Sequence, residues 1–425
     1  MLQIPNLKEL SFLVYGLGLS GHSTVKFLKK NKVKKFEVWD DKNKIKYKNL
    51  RSKNLKKTLN FVDYIILSPG VSLLRKRNLR RFEHKIITDI DLFYLAKNKP
   101  KSIMVTGTNG KSTTSKLIAH LLQKNNFKIS IGGNIGTPVL NLKSLKKNYV
   151  IIEASSFQLS HSKFICPDIA FFLNLTKDHL DWHGNMRNYL LSKLKIFQNQ
   201  NKNHFAIINK KFKKIFQKEK FKSKLIIPKE KEYKKIKLNI KNNYLISKIN
   251  NENMSFVFAL SKLLKIDKKS FLNSMKSFKG LPHRFEVFLK KNEVTFINDS
   301  KATSFKATQP ALSSLKNIYW ILGGLPKKGD KIDLANLKKN INKCYLIGKN
   351  VNFFRSQIKG KLVFSVTKNL KNSIIQILKD VNSKKSSKGN VLLSPASASF
   401  DQFSNFENRG DEFKRLCKKY VKRLN

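Results

Sequence analysis

Between a short apolar segment and a helical pattern, the sequence reads Val105-Thr-Gly-Thr-Asn-Gly-Lys-Ser-Thr113. The two glycines of this stretch let backbone N–H groups close around phosphate oxygens. Lys111 brings a positive charge to the β- and γ-phosphates, and Ser112 offers a hydroxyl to Mg²⁺. The strict phosphate-loop pattern has glycine where Val105 stands, so the stretch is a variant of that loop, and it predicts ATP binding.

The rest of the chain alternates short β-rich apolar runs with longer helical patterns, which predicts an α/β fold with mostly parallel sheets. The predicted strands are Phe12–Tyr15, Phe36–Trp39, Tyr64–Leu67, Ile103–Thr106, Tyr149–Glu153, Ile169–Asn174, Ser223–Ile227, Val294–Ile297, Ile318–Leu322, Lys343–Ile347 and Val391–Leu393. The pattern breaks at Lys97–Lys101 and again at the turn signal Gly280–Pro282. We therefore expect three blocks, the second of which carries the phosphate loop.

The composition is strongly basic, because 87 Lys and Arg against 27 Asp and Glu give a net charge of +60 over 425 residues. Such a charge suggests affinity for nucleic acid, since Lys and Arg neutralise phosphates. The excess is almost all Lys and is spread along the whole chain, whereas Arg is preferred for bidentate recognition of phosphates and bases. We therefore expect no specific nucleic-acid partner and interpret the charge as a compositional bias.

Three further features bear on location. No run of about 18 apolar residues occurs, so no membrane span is predicted. The start, Met1–Pro5, lacks the basic and apolar regions of a secretory signal. The cysteines show neither metal spacing nor a disulfide framework; they are Cys166, Cys344 and Cys417. We expect a cytoplasmic protein with reduced thiols.

A second glycine-rich stretch, Gly16-Leu-Gly-Leu-Ser-Gly21, follows the first predicted strand, and Asp40 closes the second strand. This spacing matches the dinucleotide fingerprint, in which a pyrophosphate lies on a helix N-terminus and a carboxylate lies near the ribose. Taken alone it predicts NAD(P), but a UDP group satisfies the same requirements. Ser68-Pro-Gly70, after the third strand, would lie on the same carboxyl edge of the sheet.

Polar groups follow four further strands. Glu153 ends an apolar strand, where an acid of an ATPase domain is placed for Mg²⁺, and Asp178-His-Leu-Asp181 follows the next strand. Asn298-Asp-Ser-Lys-Ala-Thr303 combines charges and hydroxyls at a strand end, with an ordinary turn as the alternative. Ser394–Phe403 exposes helix N–H groups beside small hydroxyl residues, which suits the carboxylate of a substrate.

In this order the motifs resemble those of the Mur ligase family, and the similarity runs from Gly16 to the end of the chain. The matching motifs are Gly107–Ser112, Glu153-x-Ser-Ser-Phe-Gln-Leu159, Asp178-His-x-Asp181 and Asn298-Asp-Ser-Lys-Ala-Thr303. The last block is like that of the members that add D-glutamate and reads Ser394-Pro-x-x-x-Ser-Phe-Asp-Gln-Phe-x-Asn-Phe-Glu-x-Arg409-Gly410. The sequence has no Asp-Asn-Pro-Arg block of the kind found in diaminopimelate- or lysine-adding members.

The resemblance implies three domains, two of them Rossmann-like and flanking a P-loop-type ATPase domain with a mostly parallel sheet. They are a UDP-binding domain over 1–96, the central ATPase over 97–281 and an amino-acid-binding domain over 282–425. The implied reaction joins D-glutamate to UDP-N-acetylmuramoyl-L-alanine in peptidoglycan precursor synthesis, with ATP converted to ADP and phosphate. The substrate carboxylate would form an acyl phosphate, which the D-glutamate amine would then attack. We expect a monomer.

The resemblance also assigns roles residue by residue. ATP would be bound by Gly107, Thr108, Asn109, Gly110, Lys111, Ser112, Thr113, Asn253, Arg284 and Asp299. UDP would be surrounded by Leu19, Ser20, Asp40, Asp41, Lys42, Ser68 and Gly70. D-Glutamate would be positioned by Lys301, Thr303, Ser399 and Phe406. The catalytic centre would comprise Lys111, Glu153, His179, Lys193 and Asn134. One Mg²⁺ would lie on Ser112 and Glu153, and a second on His179 and a carbamate of Lys193.

The sequence departs from the family pattern at two places. Ile249 stands where the family usually has histidine before the adenine-side asparagines. The segment Trp182-His-Gly184, whose length varies within the family, precedes the helix of Lys193, and the neighbouring Lys195 is an alternative to Lys193. Another Mur-type or a folylpolyglutamate-type ligase is the first competing interpretation, and the hydroxyl-rich last block argues against it. A nucleic-acid-associated P-loop ATPase would explain the charge but not Gly16–Gly21. A dehydrogenase using NAD(P) would need a catalytic constellation that the sequence lacks.

Overall fold

A computed structural model describes residues 6–42, 47–96, 100–134, 136–142, 149–242, 244–245, 250–327, 329–383 and 388–424. The chain divides into two compact units, one over Met1–Ile246 and Asn251–Phe278 and the other over Ser247–Asn250 and Lys279–Asn425. The first unit holds two sheets and the second unit holds one. None of the described helices is long and apolar enough to cross a membrane.

The first sheet of the first unit has four parallel strands in the order β2-β1-β3-β4. Its strands are β1 Phe12–Tyr15, β2 Phe36–Trp39, β3 Tyr64–Leu67 and β4 Ile86–Ile87. The connecting helices are α1 Leu19–Lys30, α2 Leu55–Phe61, α3 Arg77–Arg80 and α4 Asp89–Leu95. All four residues of β1 are buried because this strand lies inside the sheet with α1 packed on it. Parallel pairing brings the carboxyl ends of β1, β2 and β3 to one edge.

The second sheet of the first unit has six parallel strands in the order β10-β9-β8-β5-β7-β6. Its strands are β5 Lys101–Thr106, β6 Ile129–Gly133, β7 Tyr149–Glu153, β8 Ile169–Phe172, β9 Phe205–Ile208 and β10 Lys224–Ile226. The helices are α5 Lys111–Lys124, α6 Ser156–Ser160, α7 Leu180–His183, α8 Met186–Leu194, α9 Lys213–Lys218, α10 Glu230–Ile236, α11 Asn251–Leu263 and α12 Lys268–Lys276. The strand before the phosphate loop, β5, is thus flanked on both sides, by β7 and by β8.

The sheet of the second unit has six strands in the order β11-β12-β16-β13-β14-β15. They are β11 Glu286–Lys291, β12 Val294–Asn298, β13 Ile318–Gly323, β14 Ile341–Ile347, β15 Phe364–Lys368 and β16 Gly389–Leu393. Only β11 is antiparallel, since it forms a hairpin with β12 at the edge of the sheet. The helices are α13 Phe305–Ser314, α14 Val351–Ile358, α15 Leu370–Asn382 and α16 Phe406–Tyr420.

The predicted α/β class with mostly parallel sheets is confirmed, and every predicted strand is present with bounds shifted by at most a few residues. Strand β8 ends at Phe172 rather than at Asn174 because the chain turns there towards the phosphate loop. Five strands were not predicted from the sequence, namely β4, β6, β9, β11 and β15. Strands β4, β6, β11 and β15 lie at sheet edges and are short, end in glycines or carry polar residues, so their apolar pattern is weak. The inner strand β9 is apolar but short, and it lies within a Lys-rich segment.

Candidate active site

The phosphate loop joins the buried strand β5 to helix α5. Gly110 caps the helix with a left-handed backbone, φ 81°, which glycine adopts without steric cost. A Cβ atom at this position would lie 2.3 Å from Oδ1 of Asn253, so a larger residue here would require the Asn253 side chain to move. The same Oδ1 accepts a hydrogen bond from the Thr114 hydroxyl at 3.3 Å. Gly110 stands at the N-cap of α5 and has no side chain to cap the helix, and a helix start of this kind suits an anion.

The side chain of Lys111 is held against the phosphate loop by backbone carbonyl groups of that loop. Its Nζ donates to the carbonyl oxygens of Gly107 at 3.0 Å and Thr108 at 2.9 Å. The loop is fixed from the β8 side as well, because Asn174 accepts from the backbone N–H groups of Thr108 at 3.0 Å and Asn109 at 2.9 Å. The predicted ATP residues from Gly107 to Thr113 thus form one rigid turn at the carboxyl end of the sheet.

Glu153 ends β7 directly beside the loop, since Val105 and Glu153 are partners in the pairing of β5 with β7. Its side chain is only 1% exposed. Oε1 accepts from Nδ2 of Asn134 at 2.9 Å, whereas Oε2 has no hydrogen-bond partner within the described structure. A buried carboxylate oxygen without a partner is costly, and a divalent cation would satisfy it. Glu153 therefore fits the predicted role of a Mg²⁺ ligand, and Asn134 orients it.

Lys193 is buried to 1% exposure, and its Nζ donates to the carbonyl of Gly107 at 2.8 Å. Lys111 binds the same carbonyl oxygen, so two lysine side chains meet at one acceptor. Burial and the nearby charge of Lys111 hold the pKa of Lys193 well below its usual value, although Asp178 and Glu153 act in the opposite direction. A protonated amine does not fit a cation site, whereas a carbamate would supply an anionic oxygen.

Tyr189 links three of the predicted groups and was not predicted from the sequence. Its hydroxyl lies 3.1 Å from Oγ1 of Thr108, and Nζ of Lys193 lies 4.7 Å from the centroid of its ring. The ring of His179 is 6.1 Å away from that of Tyr189 and 4.8 Å from that of Phe157. The spacing of four residues between Tyr189 and Lys193 in α8 places both on one helix face, and this signal could have identified Tyr189.

The predicted metal ligands are a mixed set of one hydroxyl, one acid, one imidazole and one lysine. Ser112 lies in the first turn of α5, and His179 precedes α7 with a left-handed backbone, φ 53°. Among the described residues, no group of three or more His, Cys, Asp or Glu side chains is arranged to hold a metal ion. The second Mg²⁺ site therefore depends on the modification of Lys193, and both sites stay predictions.

The predicted UDP residues lie on the edge formed by the carboxyl ends of β1, β2 and β3. The carboxylate of Asp40 is already engaged by the backbone, since it accepts from the N–H of Leu17 at 2.7 Å and of Lys42 at 2.9 Å. Asp41 accepts from the Tyr15 hydroxyl at 2.8 Å and pairs with Lys76 at 3.0 Å. Asp40 thus stabilises the loops that follow β1 and β2 at this edge.

Ser68 closes the same edge from β3. Its hydroxyl donates to the carbonyl of Gly16 at 2.6 Å, and a Cβ atom on Gly16, where φ is 92°, would lie 2.8 Å from Cβ of Ser68. Leu19 and Gly70 are exposed, Ser20 is half-buried, and no atom of the described residues lies within 4 Å of a Cβ atom built on Gly70. The edge therefore leaves open space beside the uncapped start of α1, as a bound pyrophosphate requires.

The second unit gathers the residues predicted to bind D-glutamate. Nζ of Lys301 lies 3.7 Å from the centroid of the Phe406 ring, which is a cation–π contact. Ser399 is buried in the loop after β16, and Thr303 is half-buried just before Ser304, the N-cap of α13. Since β12 and β16 are parallel neighbours, the loops that follow them meet at one edge. Contact of these residues with D-glutamate stays a prediction.

Asp299 is the buried acid of this edge. Its Oδ2 accepts from the Ser394 hydroxyl at 2.7 Å, and its Oδ1 accepts from the N–H of Phe285 at 3.1 Å. Burial raises the pKa of Asp299 to about 7, although these hydrogen bonds and the charge of Arg284 act in the opposite direction. Asp299 and Arg284 lie in the second unit, and their predicted contact with ATP is untested.

The raised pKa of Asp299 has a consequence for stability. An acid whose pKa rises on folding destabilises the folded state as the pH increases from its unfolded value, 3.8, through its folded value, about 7. Between pH 5 and pH 8 the free energy of unfolding of the wild type should fall by roughly 2–3 kcal/mol relative to Asp299→Asn. Urea titrations at the two pH values measure this difference. Asp333→Asn, on the surface of the same unit, is the control; an equal pH dependence in all three proteins would contradict the raised pKa.

Comparison with known proteins identifies the relatives of this chain. The family model described as the Mur ligase middle domain matches residues 105–274. The UDP-N-acetylmuramoylalanine--D-glutamate ligase of Rickettsia prowazekii (strain Madrid E) is 35% identical over 437 residues, which cover 96% of this chain and 97% of that protein. The enzyme of the same name from Wolbachia sp. subsp. Brugia malayi (strain TRS) is 35% identical over 98% of both chains.

Solved structures agree in fold. The MurF ligase from Thermotoga maritima in complex with ADP superposes with a TM-score of 0.56 at 16% identity, over 99% of this chain and 97% of that chain. A phosphate loop on a central parallel sheet, beside a buried carboxylate at the end of the neighbouring strand, defines an enzyme that handles nucleotide phosphates. The chain belongs to the Mur ligase family. The resemblance inferred from the motifs is thereby confirmed.

Proposed function

We propose that this chain is the ATP-dependent ligase that joins D-glutamate to UDP-N-acetylmuramoyl-L-alanine in peptidoglycan precursor synthesis. The observation that carries the proposal is the similarity, over nearly the whole chain, to enzymes named for this reaction. It includes both the phosphate loop and the hydroxyl-rich last block. Because ATP and the UDP-linked substrate are cytoplasmic metabolites, we place the reaction in the cytoplasm, and we propose a monomer because one chain carries all the predicted site residues.

The reaction needs one phosphoryl transfer and one acyl transfer. An oxygen of the substrate carboxylate attacks the γ-phosphorus, and ADP leaves. The neutral D-glutamate amine then attacks the acyl carbon and loses one proton, and phosphate leaves with that carboxylate oxygen. Lys111, at the start of α5, stabilises the negative charge on the transferring phosphoryl group. Exclusion of water protects the acyl phosphate, which would otherwise hydrolyse.

Mg²⁺ would be held by Ser112 and Glu153 and would neutralise charge on the β- and γ-phosphates. The buried Oε2 of Glu153 supports this assignment because it lacks a hydrogen-bond partner among the described residues. Asn134 fixes Oε1 of the same carboxylate, so that Glu153 presents its other oxygen in one orientation.

We further propose that Lys193 carries a carbamate, which with His179 would form a second cation site. The reaction joins the neutral amine nitrogen to the carbon of CO₂ and releases one proton. The burial of Lys193 beside Lys111 supports this modification, because both disfavour the protonated amine that cannot react. Tyr189 and the carbonyl of Gly107 hold the nitrogen in place.

The remaining assignments follow the same scheme. UDP would lie on the edge formed by β1, β2 and β3, and D-glutamate would lie on the edge that carries Lys301, Thr303, Ser399 and Phe406. Asn253, Arg284 and Asp299 would contact ATP. The three domains over 1–96, 97–281 and 282–425 are part of this proposal, supported by one sheet in each range.

Phosphate release by the purified protein tests the proposal. ATP, UDP-N-acetylmuramoyl-L-alanine and D-glutamate together should give rapid release, and omission of any one of them should reduce it to background. Release that depends on nucleic acid, or that is indifferent to the amino acid, would refute the proposed function.

A further inference from the structure

Arg409, in the second turn of α16, is one of the largest fully buried side chains of the second unit, at 1% exposure. Its guanidinium makes three hydrogen bonds within the described structure. Nε donates to the hydroxyl of Ser300 at 3.0 Å. Nη2 donates to the carbonyl oxygens of Ser300 at 2.9 Å and Ser397 at 3.0 Å. One planar group thus binds two loops that are far apart in the sequence.

These two loops carry the residues predicted to position D-glutamate. Ser300 immediately precedes Lys301 in the loop after β12, and Ser397 lies two residues before Ser399 in the loop after β16. The Ser300 hydroxyl also donates to the carbonyl of Phe406 at 2.8 Å, so it connects the first loop to the start of α16. Arg409 therefore fastens together all three segments of the predicted amino-acid site.

The surroundings of Arg409 make its burial costly, which indicates that the residue does more than fill space. Its three acceptors are one hydroxyl and two carbonyls rather than a carboxylate, and Nη1 has no hydrogen-bond partner within the described residues. Burial lowers its pKa to about 10, although the charge of Asp401 acts in the opposite direction. Burying a charge without a close counter-charge is costly, and an apolar side chain would fill the volume at lower cost.

We propose that Arg409 is a positioning residue for the amino-acid substrate, because it holds the loops of Lys301 and Ser399 and the ring of Phe406 in one arrangement. The inference rests on the proposed function. A guanidinium is suited to this task, since its donors diverge in a fixed plane and reach acceptors on two loops at once. Lysine would keep the charge but has a single nitrogen on a flexible stem, so it could not hold both loops in the same geometry.

The test compares steady-state kinetics of the full-length wild type with Arg409→Lys. A small displacement of positioning residues reduces the efficiency of a reaction strongly, so we expect KM for the amino acid to rise about 10- to 100-fold. KM for UDP-N-acetylmuramoyl-L-alanine should stay within about twofold, because none of the residues predicted to bind it lies on the loops that Arg409 contacts. KM for ATP is not the reference, since Asp299, a predicted ATP residue, precedes Ser300 in one of these loops. If Arg409 had a structural role alone, its substitution would lower kcat in proportion to the folded fraction and leave the three KM values unchanged. That result would overturn the proposal.

Two further variants complete the experiment. Arg415→Lys is the matched control, since Arg415 lies in the same helix but is exposed and pairs with Glu412 at 2.7 Å; its kinetics should equal those of the wild type. Ser300→Ala removes the hydroxyl that joins Arg409 to Phe406 and should raise the same KM by a smaller factor. If Arg409→Lys does not fold, an unchanged KM in Ser300→Ala overturns the proposal.

The amino acid in this experiment is the one that stimulates phosphate release by the wild type. If that amino acid is not D-glutamate, the proposed function is wrong, whereas the role of Arg409 is still decided by the KM for the amino acid that is used. The two failures are therefore distinguishable.

Discussion

Lys111→Ala should reduce ATP-dependent phosphate release by roughly a thousandfold or more, while the protein stays folded. The lysine stands at the start of α5 with Nζ on the carbonyls of Gly107 and Thr108, where the loop would surround the β- and γ-phosphates. Its charge acts on the phosphoryl group during transfer, when negative charge develops on the equatorial oxygens. Single-turnover measurements with saturating ATP separate this effect on the chemical step from weaker ATP binding.

The control for this experiment is Lys116→Ala. Lys116 lies in the same helix and is exposed, so the substitution removes an equal charge outside the loop. We expect near-normal turnover and the same thermal unfolding midpoint as the wild type. Near-normal turnover of Lys111→Ala itself would remove the loop from the centre of the mechanism.

Lys193→Ala should also abolish most of the activity, and short carboxylic acids such as acetate should restore part of it. Lys193 is buried behind the phosphate loop, where its amine binds the same carbonyl oxygen as Lys111. If a carbamate is the working form, its loss removes an anionic oxygen ligand, and a free carboxylate can occupy the space left by the side chain. Rescue is measured as the increase in phosphate release with acetate concentration at constant ionic strength.

Lys195→Ala distinguishes the two lysines that the sequence left as alternatives. Lys195 lies at the end of the same helical segment, but its Nζ donates to the carbonyl of Ser160 and not to the phosphate loop. This substitution should therefore give no acetate-dependent recovery. Acetate rescue of Lys195→Ala, or a Lys193→Ala protein that acetate cannot rescue, would contradict the carbamate at Lys193.

The predictable part of this site consists of residues that follow strands. Glu153 could be located because an apolar run ends in an acid, and parallel pairing brings that acid beside the loop after β5. The glycines of the loop could also be predicted, because the phosphate-loop pattern requires them. In the structure Gly110 has a positive φ, and a Cβ atom there would lie very close to Asn253. These features depend on local sequence and on the geometry of parallel sheets, which is the same in every protein of this class.

The parts that escaped prediction depend on contacts between distant segments. Tyr189 connects Thr108 with Lys193, and its partner Thr108 is 81 residues away in the chain. Arg409 lies in the last motif that matched the family, but its role is visible only in the fold, where the loops of Ser300 and Ser397 contact it. Asp40 matches the fingerprint of a ribose ligand, and its two oxygens also accept from backbone N–H groups, a structural role that was not predicted from the sequence.

Some sequence predictions lie where the structure gives no test. Ile249, which replaces the histidine usual in the family, lies outside the described residues, as do Lys97–Lys99 at the proposed first domain boundary. The interpretation of the basic charge as a compositional bias stays a prediction, since it rests on the spread of Lys along the sequence alone.

The most direct test of the central claim is a comparison of D-glutamate with L-glutamate. The purified wild type is given ATP, Mg²⁺ and UDP-N-acetylmuramoyl-L-alanine, and phosphate release is measured as either enantiomer is added. The proposed function predicts that D-glutamate stimulates release and yields one ligated nucleotide product per phosphate, whereas L-glutamate leaves release at background. Equal stimulation by both enantiomers, or by neither, would contradict it.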